Sequence, residues 1–206
     1  MNHGRHPQSK KKIQNAIRSA LHVGAFTVSE APLASTLPAN LSTAGFLDPP
    51  ISYSSGGNAV CVSGIVPVQA SINSNLNLDL PDNITNTQAV NLILDLNAAN
   101  SGLATSVTGS QQQAGGVFNI SAQLCHPASS QNALVIQFLT HGVGFSKSYW
   151  DFASLNNSYI DVEALSGHAT FSYDRLGIGE SSHPDPIQIV QGPLQTAVAQ
   201  SLLRLL

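Results

Sequence analysis

The sequence predicts an α/β protein: a β-rich N-terminal part, then a β-α-β-α run that opens a parallel sheet. Three observations carry this. Short apolar runs rich in Val and Ile, divided by Asn, Asp, Gly and Ser turns, occupy residues 58–127. A continuous apolar stretch, "ALVIQFL" at 133–139, has the character of a strand buried on both faces of a parallel sheet. Beyond it, helical and strand patterns alternate through residue 206.

Taken in order, residues 1–29 hold Arg5, Lys10, Lys11, Lys12 and Arg18 and no acid. Ile13, Ala16, Ile17, Ala20 and Leu21 follow at helical spacing, which makes a basic amphipathic helix. Asn15, Arg18 and His22 interrupt it, so it is not the apolar core of a secretory signal. A mitochondrial presequence, a membrane-surface helix and a mobile tail all fit. Residues 30–57 are rich in Pro, Ser and Gly and read as an extended approach segment. Residues 1–57 are therefore expected to be mostly irregular, and 58–206 to form the domain.

Strands are expected at 59–68, 89–96 and 117–124, with a short helix as the alternative for 89–96. After the strand at 133–139, helical material is expected from Tyr149 and again across Tyr159 to Ser166. A second strand follows at 169–174. Pro193 suits the first turn of a last helix, in which Leu194, Ala197, Val198, Ser201, Leu202 and Leu205 share a face. The closing "LLRLL" carries no Gly cap, Pro stop or polar tail, and so reads as an interruption of the fold with no neighbour for its apolar face.

Composition limits the function classes. Apolar residues make up 42% of the 206, enough for a core, while charged residues make up only 9%, against about 25% in ordinary domains. Beyond residue 29 only three basic residues face all eleven acids, which argues against a nucleic-acid partner. No run approaches the roughly 18 apolar residues of a transmembrane helix. Sequons at Asn40, Asn83, Asn119 and Asn156 point to secretion. Cys61 and Cys125 each sit in a strand-like stretch; a disulfide between them is the favoured reading and two buried thiols the alternative. Without a clear signal peptide, a mitochondrial or cytoplasmic location stays open.

Two motifs, "LTHGVGFSKSYWD" and "SYDRLGIGESSHPDP", stand about 30 residues apart with a helix between them. Together they resemble the α/β-hydrolase superfamily over roughly residues 117–206. The likeness is closest to secreted, fungal-type hydrolases whose N-terminal segment ends in a Cys-x-Pro turn, here Cys125-His126-Pro127. The resemblance implies the N-terminal half of an α/β-hydrolase fold, incomplete, with 58–127 as its β-rich part and 128–206 as its β-α-β-α part. It also implies that the backbone N–H groups of Val143 and Gly144 serve an oxyanion hole, with His141 and Gly142 shaping the turn. Asp174 and Arg175 are implied to fix the second loop by hydrogen bonding and ion pairing, Gly177 and Gly179 to supply its turns, and Ser181 to cap the next segment. Tyr149 and Trp150 read as core or pocket-wall aromatics.

The nucleophile of that superfamily sits in G-x-S-x-G, and no such sequence occurs here. "GFSKS", with Ser146 at its centre, ends in Ser148, and "GESSH" also lacks the last glycine. The seven histidines, His168 and His183 among them, make no metal-binding pattern, so neither metal nor other cofactor is expected. The expected protein is a truncated, inactive relative of enzymes that cleave small ester or lipid-like substrates through a Ser-His-acid mechanism. Alternatives are a secreted binding module using the β-rich part, and an intracellular relative targeted by the basic helix.

Overall fold

A computed structural model describes residues 45–47, 49–80, 84–129, 133–152 and 157–206. Their core is a mixed five-stranded sheet with helices on both faces, an α/β arrangement. In chain order the elements are β1 (Ile51–Tyr53), β2 (Ala59–Leu78), α1 (Asn86–Asn97), α2 (Leu103–Val107), β3 (Thr108–Pro127) and β4 (Ile136–Thr140). A 3-10 turn (Lys147–Trp150), α3 (Tyr159–Leu165), β5 (Ala169–Tyr173) and α4 (Gly192–Leu203) complete them. The strands lie in the order β1-β2-β3-β5-β4. The first four pair antiparallel, and β4 joins β5 in parallel, so the chain crosses through α3 between them.

The alternation of side chains along a strand sorts the core into two layers. On β2, Val60, Val62, Val66 and Val68 face one side with Ile120 and Leu124 of β3 and Phe171 of β5. Leu194, Val198 and Leu202 of α4, one helical turn apart, are fully buried against them. Ala59 and Cys61 face the opposite side, under Ile160 and Ala164 of α3. Cys61 and Cys125 are direct cross-strand neighbours in the β2–β3 ladder and are joined by a disulfide.

Several elements differ from the sequence expectation. β2 and β3 each run for 20 residues, well past the sheet's body, and carry α1 and α2 between them as an arm. Residues 89–96 lie in α1, the helical alternative, because Thr85 and Gln88 close a reciprocal capping box at its start. The side chains of Val90, Ile93 and Leu94 on that helix are each more than half exposed. The stretch 133–139 is not a strand buried on both faces. It enters the sheet only at Ile136, as the outer strand with β5 as its one partner among the described residues, and Leu134 is 96% exposed. Only Leu139 of β4 is buried, while Phe138 stacks on Phe171 at 5.6 Å. Of the closing "LLRLL", Leu202 is buried in the core, while Leu203, Leu205 and Leu206 stay exposed as expected.

Polar side chains finish what the ladder leaves open. Beyond a register shift at Ile72/Asn75, Leu76 donates its N–H to Gln191 Oε1 and accepts from Gln191 Nε2. Leu78 makes the same reciprocal pair with Gln188. Two side-chain amides thus stand in for a neighbouring strand. Among the described residues no helix is long and apolar enough to cross a membrane.

Candidate functional site

The candidate site forms where β4 and β5 end side by side. β4 delivers His141 into a turn in which the Phe145 N–H reaches back to the Gly142 carbonyl at 3.4 Å. Gly144, at φ +81°, takes the left-handed conformation that a type II turn demands at its third residue. Among the described residues the N–H groups of Val143 and Gly144 meet no hydrogen-bond acceptor. Val143 is 93% exposed, so its side chain does not tie the turn down.

His141 does that. Buried, it accepts the Arg175 N–H through Nε2 at 3.1 Å, which leaves the proton on Nδ1. Nδ1 then donates to the Gly142 carbonyl at 2.9 Å. The neutral ring therefore bridges the turn after β4 to the loop after β5, and both nitrogens are already committed.

That loop is locked from beneath by a buried carboxylate. Asp174 Oδ1 accepts the Lys147 N–H at 2.6 Å, and Oδ2 takes the Lys147 ammonium at 2.9 Å. Lys147 Nζ also donates to Ser121 Oγ on β3 at 2.8 Å. The ion-pair partner of Asp174 is thus Lys147 and not its neighbour Arg175. Ser181 caps no helix; its hydroxyl donates to the Asp174 carbonyl and accepts the Ser121 N–H, stitching the loop to β3. Lys147 and Ser121 escaped the sequence reading. The available signal was a lysine inside the otherwise uncharged "VGFSKSYW", in a chain with few cations.

Gly179 lies at φ +56°, and a Cβ there would come within 2.9 Å of Asp174 Cγ. Around Gly144, also left-handed, the space is open. Gly144→Ala should therefore cost only the left-handed penalty, about 1 kcal/mol, and Gly179→Ala at least twice that. Equilibrium unfolding of both variants checks the order; equal losses would show that the Asp174 cradle does not constrain Gly179. Gly177, at φ +81°, turns the same loop and donates its N–H to the Ser182 carbonyl at 2.9 Å.

A cleft of about 1050 Å³ opens directly beside Gly144. Phe145, Tyr149, Trp150 and Tyr159 form its wall, each ring within 5.5 Å of the next and tilted against it. Tyr149 is thus pocket wall, while Trp150 reaches inward to the disulfide layer. Ser146 and Ser148 stand at the rim with their hydroxyls 2.7 Å apart. Among the described residues neither hydroxyl is bonded to a His or an acid.

No protein-family model matches the chain, and no curated protein matches it.

The remaining candidates lie apart from this turn. His168 pairs with Glu163 at 2.8 Å on the α3 side, and His183 is exposed. Among the described residues no three His, Cys, Asp or Glu side chains converge on a metal position. Asn119, exposed on β3, is backbone-bonded to Ser182 on both its N–H and C=O. The sequons at Asn40, Asn83 and Asn156 lie outside the described residues, as does the basic amphipathic segment.

Proposed function

We propose that the turn after β4 and the loop after β5 form the oxyanion side of an α/β-hydrolase-type site for ester substrates. We also propose that these 206 residues alone carry out no hydrolysis. The observation that carries the reading is the pair of N–H groups on Val143 and Gly144, which meet no acceptor among the described residues and lie on a turn whose Gly144 lines an apolar cleft. Donors fixed in this way cost no reorganisation when charge develops on a carbonyl oxygen, and one of them is worth about 3 kcal/mol in a transition state. The outer edge of β4, unpaired among the described residues, supports the same reading. It is where the resemblance puts the strand that carries the nucleophile. The disulfide fits an oxidising compartment, in line with secretion.

Amide resonances test the donors. Titration with phenylphosphonate, a tetrahedral oxyanion, should shift the Val143 and Gly144 N–H signals saturably. Unmoved signals would overturn the oxyanion reading. A fluorophosphonate probe should label no serine, and labelling at any position would refute the inactivity.

A further inference from the structure

We propose that the cleft beside Gly144 binds a flat, uncharged aromatic group. On the reading above, this group is the acyl or alcohol part of an ester whose carbonyl meets the turn. Shape, charge and ring geometry each narrow the ligand.

Charge comes first. Among the described residues lining the cleft, none is charged. An ionised ligand would lose its hydration there without a counter-charge, and that selects neutral groups. Among the described residues, the polar groups of the cleft beside the turn include the paired hydroxyls of Ser146 and Ser148 and the N–H of Gly144. These suit one neutral acceptor, such as a carbonyl, at one end of an apolar body.

The rings decide between an aromatic body and an aliphatic one. Phe145 and Tyr149 lie 4.8 Å apart at 56°, Tyr149 and Trp150 5.2 Å apart at 80°, and Trp150 and Tyr159 5.5 Å apart at 59°. This zigzag presents ring faces and edges in turn. An inserted aromatic ring can meet one wall face-on and the next edge-on, the two favoured arrangements of π-systems. A saturated chain would gain only contact area. Phe145, Tyr149 and Phe152 each keep about half or more of their surface exposed although they are large and apolar, so the wall has surface left to cover. The volume, about 1050 Å³, exceeds what one phenyl ring needs and admits a fused pair.

The chain's single tryptophan, Trp150, lines this cleft and reports on its filling. 2-Acetylnaphthalene, a neutral ketone that cannot be hydrolysed, should quench Trp150 fluorescence saturably. 2-Decanone and 6-acetyl-2-naphthoate, the aliphatic counterpart and one whose charge would enter the cleft, should each bind at least about tenfold more weakly. Equilibrium dialysis supplies the same comparison without fluorescence. Tyr149→Leu keeps an apolar side chain but removes the ring, and should weaken the naphthyl ketone about tenfold with the unfolding midpoint unchanged. Tyr149→Leu binding as tightly as the parent overturns the proposal, as does equal binding of the three probes or absence of saturation. The phosphonate titration separates this from the hydrolase reading. Ketone binding with unmoved Val143 and Gly144 amides leaves an aromatic-binding cleft and removes the esterase. Shifted amides without ketone binding leave the oxyanion turn and remove the aromatic ligand.

Discussion

Removing the Cys61–Cys125 disulfide, by Cys61→Ala with Cys125→Ala, should destabilise the protein by about 4 kcal/mol. The bond joins residues 64 apart in sequence, and closing a loop of that length in the unfolded chain gives a chain-entropy effect of this size. The folded state has little reason to change. Cys61 and Cys125 already face each other in an unbroken stretch of the β2–β3 ladder, under Ile160 and Ala164. The loss should therefore act through the unfolded chain. It should lower the thermal midpoint by roughly 8–16 °C for a chain of this size. It should also raise the denaturant m-value, because the uncrosslinked chain exposes more surface when it unfolds. An unchanged midpoint would refute the estimate. A lowered midpoint with an unchanged m-value would place the effect in the folded layer instead.

The same pair shows how far sequence alone could be read. Two cysteines in strand-like stretches suggested a bond, because a β-strand fixes which side chains share a face. The final helix was legible for a similar reason: Leu194, Val198 and Leu202 recur at helical spacing, and all three are buried. The arm was not legible. "TGSQQQAGG" at 108–116 has no apolar alternation, so its extended form is imposed by pairing with β2, whose Leu76 and Leu78 are in turn held by Gln191 and Gln188 from across the chain. For 89–96 the periodicity was ambiguous, and the capping box at Thr85 and Gln88 was the overlooked local signal. The error at 133–139 has another origin. An apolar run reveals appetite for burial but not which neighbours exist, and among the described residues β4 pairs with β5 alone. At the site, adjacency misled: Arg175 follows Asp174 directly, yet the ion pair forms with Lys147, 27 residues away. No local pattern carries a pairing of that kind.

Asp161→Ala should cost about 3–5 kcal/mol, for a reason that concerns one turn. Asp161 is fully buried on α3. Its Oδ1 accepts from Ser54 Oγ at 2.6 Å, the Asn58 N–H at 2.9 Å and Asn58 Nδ2 at 3.1 Å, while Oδ2 accepts the Gly56 N–H at 2.7 Å. One carboxylate thus ties Ser54, Gly56 and Asn58 of the connection between β1 and β2 to the far helix, while Asp151 holds Ser55. Truncation strands the buried Ser54 hydroxyl and three part-buried donors at once, which costs far more than the net worth of any one hydrogen bond. Asp161→Asn keeps one oxygen but turns an amide toward a donor, and should cost roughly half as much. Acid titration gives the second readout. Burial alone would raise the Asp161 pKa, but the hydrogen bonds from Ser54, Asn58, Ser158 and Gly56 outweigh it and hold the group below its ordinary 3.8. A depressed carboxylate stabilises the fold above that value and loses its contribution as pH falls through the folded pKa. Burial of His126 likewise lowers its pKa from 6.5, so its share is complete above that value and declines as pH falls below it. Stability should therefore fall in two separable limbs on acidification. Asp161→Asn should flatten the limb below 3.8 and leave the limb that begins at 6.5, while His126→Gln should do the reverse. If Asp161→Asn leaves the lower limb intact, the turn between β1 and β2 is not held by this charge.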